Sequence, residues 1–201
     1  MTIAILDYGS GNLHSVSRAL AHVGGEPLVT AAPAEVATAD ALVIPGVGHF
    51  GACMRAICHH GLDAAILRFR ESGRAMFGVC VGMQVLFGGS DEDPEEGLGV
   101  LTGRVRRLSG EVKVPHMGWN TVTWAREHPY AEDLPEGARF YFVHSFAPDP
   151  GEDTVGITDH GRPFAAAVAR DNVFATQFHP EKSGEAGLAM YERFVKAVAD
   201  Q

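Results

Sequence analysis

The stretch Ala75-Met76-Phe77-Gly78-Val79-Cys80-Val81-Gly82-Met83-Gln84-Val85-Leu86-Phe87 decides how the rest of the chain is read. Ala75–Val79 is a short apolar strand and Met83–Phe87 a helical stretch. Between them, Gly78-Val79-Cys80-Val81-Gly82 has a nucleophile flanked by glycines two positions away on each side, the spacing of a strained strand-to-helix turn. In such a turn Cys80 projects from the strand end, at the start of the next helix. There the helix dipole favours the thiolate, and the Val81 N–H points to where an oxyanion would form. A buried cysteine in a glycine-rich turn has the same spacing, so both readings stand at this point.

Outward from that turn, strands and helices alternate through the first half. Thr2–Asp7 is β-rich. Val16, Ala19, Leu20 and Val23 mark one helical face, with Asn12 as its N-cap and Gly24-Gly25 as its stop. Leu28–Thr30 and Ala41–Ile44 follow as strands, then Leu62–Glu71 as a helix. This alternation predicts an α/β fold whose mostly parallel central sheet is flanked by helices. In the second half, Gly99–Leu108, Val112–Val114, Asn120–Trp124, Arg139–Phe146, Thr154–Thr158, Phe164–Ala169 and Val173–Phe178 are short strands between turns, adding antiparallel strands to the sheet. A final helix carries Leu188, Tyr191, Phe194, Val195 and Val198 on one face, with Ser183 as its cap. With no linker or repeat, residues 1–201 read as one domain.

Composition narrows the function. The 201 residues carry a net charge of −9, which argues against nucleic acid as a partner. Hydrophobic residues make up 46%, enough for a core, yet no apolar run approaches the ~20 residues that cross a bilayer. Asp7 interrupts the N-terminal apolar run, which reads as a strand and not as a signal peptide. Three cysteines, Cys53, Cys58 and Cys80, make no disulfide framework and suit a reducing, cytoplasmic setting. Twenty-four glycines exceed the usual ~7%.

Two further segments can serve Cys80. His179-Pro180-Glu181 follows the strand Val173–Phe178, and residues two apart in extended chain face the same way. His179 would be the base and Glu181 its orienter; a surface loop at a helix start is the other reading. Ile44-Pro45-Gly46-Val47-Gly48 ends a strand in a loop able to turn an N–H toward developing charge, or is an ordinary turn. Other patterns carry less. Gly9-Ser10-Gly11 lacks the third glycine of a dinucleotide loop, having His14 there. Cys53, Cys58, His59 and His60 fit no zinc spacing and read as a helix with half-buried thiols. Asp91, Asp93, Glu95 and Glu96 read as a solvated acidic loop, and Arg104, Arg106 and Arg107 as a solvated strand edge. No metal or cofactor is implied.

Five segments together resemble the class I (triad) glutamine amidotransferases: Pro45–Gly51, Gly78–Gln84, Pro115-His116-Met117-Gly118-Trp119-Asn120, Tyr141–Ser145 and Gln177–Ser183. The Pro115–Asn120 segment narrows the resemblance to the glutaminase subunits of imidazole glycerol phosphate synthases. The resemblance implies Cys80 as the nucleophile on glutamine, His179 as base then acid, and Glu181 as orienter. It implies an oxyanion held by Val81 and the Gly46-Val47-Gly48 loop, and glutamine held by Gln84, His144, Ser145 and Phe146. It also implies a heterodimer with a cyclase subunit that takes the ammonia, facing it with Asn12, Arg18, Met117, Trp119, Asn120, Tyr141 and Lys182. A core role is the other reading of Trp119. Val81 stands where the family usually has leucine, and Phe146 where a hydroxylated aromatic is common. An amidotransferase of a different synthase and a stand-alone cysteine hydrolase are the alternatives.

Overall fold

Four-residue runs without a polar side chain, such as Ala41-Leu42-Val43-Ile44 and Met76-Phe77-Gly78-Val79, are stable as strands only when both faces are covered. The computed structural model, which describes residues 1–135 and 137–200, buries every residue of both. The first half comprises β1 (Thr2–Leu6), α1 (Leu13–His22), β2 (Glu26–Thr30), α2 (Pro33–Thr38), β3 (Ala41–Ile44), α3 (Phe50–His59), α4 (Leu62–Glu71), β4 (Met76–Val79) and the single turn α5 (Val81–Gln84). Short strands make up most of the second half: β5 (Gly89–Ser90), β6 (Asp93–Glu96), β7 (Val105–Arg107), β8 (His116–Thr121), β9 (Thr123–Trp124), β10 (Arg139–His144), β11 (Phe146–Pro148), β12 (Thr154–Asp159), β13 (Pro163–Arg170) and β14 (Val173–Thr176). The helix α6 (Gly184–Ala199) closes the chain.

The main sheet has the order β2-β1-β3-β4-β14-β13-β12-β9. Its first five strands are parallel and the last three are added antiparallel. The α/β architecture with its mixed sheet is therefore as expected. A pair β8–β10 and a small sheet β11-β7-β5-β6 stand apart from it. Helix α6 buries Tyr191 and Phe194 against Phe77, the rings lying 5.4 Å apart in each case. Because β3, β4 and β14 are parallel neighbours, the segments that follow them, at Pro45, Cys80 and Gln177, emerge on one side of the sheet. That side is where open α/β sheets place ligands.

Several local expectations need correction. The helix after the elbow is one turn, Val81–Gln84, not Met83–Phe87. Gly99–Leu108 contributes only β7, since Gly99 and Gly103 hold positive φ, and Val112–Val114 forms no strand. Asn120–Trp124 is replaced by β8, which starts at His116, and β9; Arg139–Phe146 breaks at Ser145. The acidic segment is no loop: Asp93–Glu96 is β6, paired with β5, and Arg55 reaches both Asp93 and Glu95. Val105–Arg107 is flanked by β11 and β5, so its arginines do not sit on an edge strand. Of the α3 thiols, Cys53 is buried and Cys58 exposed. Leu188 lies only partly buried beside the α6 face, and Met190 takes a buried place on it. Asn12 and Ser183 occupy N-cap positions, yet neither side chain caps its helix. Among the described residues no helix is long and apolar enough to cross a membrane, and no cluster of three metal-ligating side chains occurs.

Candidate active site

The elbow is built by steric exclusion. A Cβ on Gly82 would enter the Ile44 carbonyl, and one on Gly78 would stand 3.0 Å from both the Gly82 oxygen and Ala175 Cβ. Strands β3, β4 and β14 thus converge where only glycine fits. Cys80 takes φ 55° and ψ −111°, a conformation costing a non-glycine residue about 1–3 kcal/mol. Its N–H donates to Thr176 O at 2.8 Å, and its carbonyl receives the Met83 and Gln84 N–H groups. A single helical turn supplies little dipole, so the positive charge that can hold a thiolate has to come from a side chain.

His179 is that side chain. It is fully buried, its N–H donates to Tyr141 O at 2.9 Å, and Nδ1 lies 2.8 Å from Glu181 Oε1. The carboxylate only accepts, so Nδ1 carries the proton and Nε2 is left to face the site. Among the described residues, Nε2 and Glu181 Oε2 have no hydrogen-bond partner. Burial pulls the imidazole pKa down. The Cys80 thiolate and the Glu181 carboxylate outweigh it and raise the value to about 10. The protonated imidazole is thereby favoured beside the Cys80 sulfur. Asn12 Nδ2 donates to Glu181 Oε1 at 3.3 Å, so this residue at the start of α1 steadies the carboxylate instead of capping its helix. Ser183 Oγ likewise turns inward, donating to His179 O at 2.6 Å and accepting from Tyr141 N at 3.0 Å.

The Pro45–Gly48 loop packs against the elbow. A Cβ on Gly46 would lie 2.7 Å from the Tyr8 hydroxyl. Tyr8 donates to Pro45 O, and Ser10 Oγ to Val47 O. The Val81 N–H donates to Gly46 O at 3.3 Å, so the donor expected to meet an oxyanion is engaged by the loop itself.

A cavity of about 280 Å³ lies over Cys80, lined among others by Val47, Gly48, Gln84, Val143, His144, Ser145, Phe146 and His179. The expected glutamine-holding residues are thus brought together with Cys80. Glu92 also lines it, and was missed in the sequence because it lies within an acidic run; its Oε2 accepts the Phe50 N–H at 2.8 Å. A larger cavity of about 590 Å³ opens where β4 and β14 begin, beside Ala75 and Val173, at the opposite strand ends from Cys80.

His144 and His116 are buried without a carboxylate. His144 Nδ1 donates to Phe146 O at 2.9 Å, and its Nε2 accepts from His116 Nδ1 at 3.2 Å. Burial, with the charge of neighbouring imidazoles, lowers His144 to about 3 and His116 to about 4. On β8, alternation turns Met117 and Trp119 outward, 64% and 51% exposed, so Trp119 is not a core residue. Asn120 falls on the other face, its amide donating to Asp159 O at 3.0 Å. Trp119 meets Tyr141 edge-on at 6.0 Å, and Lys182 Nζ stands 5.9 Å over the Tyr141 ring. Arg18 is exposed on α1.

The class-I glutamine amidotransferase family model matches residues 4–198, and the chain belongs to that family. Within it, the chain is 44% identical to the imidazole glycerol phosphate synthase subunit HisH of Neisseria meningitidis serogroup B, covering 97% of this chain and 99% of the relative. The HisH subunit of Dechloromonas aromatica is 46% identical, with 97% and 96% covered. PurLQS from Thermotoga maritima shares the fold, with a TM-score of 0.77 at 20% identity and 98% of each chain covered.

Proposed function

We propose that the chain is the glutaminase subunit of an imidazole glycerol phosphate synthase, with Cys80, His179 and Glu181 as its catalytic triad. The observation that carries the triad is the buried His179–Glu181 pair beside an elbow cysteine at positive φ. The Cys80 thiolate attacks the side-chain amide carbon of glutamine. Protonated His179 gives its Nε2 proton to the departing ammonia, leaving a γ-glutamyl thioester. Water, deprotonated by the same nitrogen, then releases glutamate and the thiolate. Val81 N–H receives the oxyanion once the Gly46 carbonyl gives way, with a second donor from Gly46-Val47-Gly48. Gln84, His144, Ser145 and Phe146 hold the substrate, and Glu92 supplies a carboxylate for its α-ammonium group.

Ammonia passes to a cyclase subunit docked on the face marked by Met117, Trp119, Tyr141 and Lys182, with Asn12, Arg18 and Asn120 nearby. The exposed apolar Met117 and Trp119 support this docking. One amidotransferase domain spans 1–201, and its free thiols suit a cytoplasmic setting. Coupled assays test the reading. Cys80→Ala, mixed with the cyclase and its nucleotide substrate, is expected to lose glutamine-dependent synthesis and keep synthesis from free ammonia. Retained glutamine use would remove Cys80 from the reaction.

A further inference from the structure

Gln177 directly follows β14 and is fully buried. In the register of the adjoining strands Thr176 pairs with Val79, so Gln177 comes beside Cys80. In extended chain Gln177 and His179 share a face, while Phe178 stacks on Phe140 at 4.2 Å. One short segment therefore delivers two side chains to one sulfur.

A chain of hydrogen bonds fixes which end of the Gln177 amide meets that sulfur. The Phe146 carbonyl can only accept. It receives Gln84 Nε2 at 2.9 Å, which sets the orientation of the Gln84 amide. The same Nε2 donates to Gln177 Oε1 at 3.0 Å. Gln177 must then turn its Nε2 toward Cys80, 3.6 Å from Sγ. A neutral thiol is a poor acceptor for a buried N–H, whereas a thiolate is a charged one and strengthens the bond.

We propose that Gln177 donates a hydrogen bond that holds the Cys80 thiolate, and that Gln84 locks the Gln177 amide in the donating orientation. Gln84 thereby has two functions. Its Nε2 orders Gln177, and its Oε1 remains available to glutamine in the cavity. The role deepens the nucleophile reading given above and rests on it. The other titratable groups around the sulfur are Tyr8 and Cys53 behind it, Glu92 and His144 across the cavity, and His179 with Glu181. None of them occupies the Gln177 position, so replacing Gln177 changes one donor and leaves these in place.

The test is the pH profile of Cys80 alkylation by iodoacetamide in the full chain, read by peptide mass, with Cys53 and Cys58 as internal controls. Gln177→Glu keeps the size and replaces the donor with a carboxylate. It is expected to move the Cys80 inflection upward by about one pH unit or more and to slow alkylation on the acid side about tenfold. Gln177→Leu is expected to act in the same direction. Gln84→Leu, which leaves the donor but frees its far end, is expected to slow alkylation about threefold, the lower end for one lost hydrogen bond. Where either Gln177 variant does not melt cooperatively, Gln177→Asn, whose amide stops one methylene short of the sulfur, takes its place. An unchanged Cys80 profile in a folded Gln177 variant overturns the proposal, even if glutamine turnover falls. Glutamine turnover by Cys80→Ala would refute the nucleophile reading instead, and leaves the alkylation profile interpretable.

Discussion

His179 and His144 border the same cavity and are both buried, yet the first is raised to about 10 and the second lowered to about 3. Burial acts on both in the same direction. The difference lies in the partners. His179 faces a carboxylate and the Cys80 sulfur, while His144 has a backbone carbonyl and the neutral His116 imidazole. Desolvation sets the cost of charge, and the nearest anion decides whether the charge exists. One cavity therefore holds one imidazolium able to deliver a proton and one neutral ring able to hold an orientation.

The largest expected effect comes from making His179 resemble His144. In Glu181→Gln, glutamine turnover is expected to fall about a thousandfold, by analogy with triads whose orienting acid is amidated. NMR titration of His179 should show its pKa dropping from about 10; a His179 that still titrates there would break the comparison. A second effect is a stability profile with two limbs. His179 binds its proton more tightly folded than unfolded, so its contribution is present below its ordinary value of 6.5 and is lost as pH rises toward about 10. His144 and His116 bind theirs more weakly when folded. Their contribution is present above 6.5 and is lost as pH falls toward about 3 and 4. Melting temperature recorded against pH should decline on both sides, and the acid decline should flatten in His116→Phe. That variant should also lose about 1–3 kcal/mol at neutral pH, because Asn120 and His144 each lose a partner. Denaturant midpoints measure the loss. The smallest effect sharpens the role of Asn12. Asn12→Ala removes one bond to Glu181 and should lower kcat about fivefold, equivalent to about 1 kcal/mol.

The parallel core and the elbow were legible because both are local. Apolar runs ended by glycine reveal buried strands, and the Gly78–Gly82 spacing reflects a packing requirement later seen at the Ile44 carbonyl. Strands β5 and β6 of the small sheet were not legible, since Gly89-Ser90 and Asp93–Glu96 pair through backbone without an apolar pattern. Asn12 and Ser183 show a different limit. Their sequence positions are those of helix caps, and the cap position is indeed where each sits. Asn12 instead bonds across the fold to Glu181, while Ser183 donates to the His179 carbonyl four residues back and accepts from the distant Tyr141 N–H. Gln177 and Glu92 are polar residues whose partners lie 97 and 42 positions away, and no local spacing connects them.

The Gly46 carbonyl on the Val81 N–H will sort inhibitors of this cavity into two kinds. An epoxide or haloacetamide shaped like glutamine needs only the sulfur, and the resting loop does not oppose it. An aldehyde or boronate mimic must settle its new oxygen on the Val81 N–H, so its affinity carries the work of moving the carbonyl aside. The potency ratio of the two kinds is therefore a gauge of loop position, readable without any turnover of glutamine.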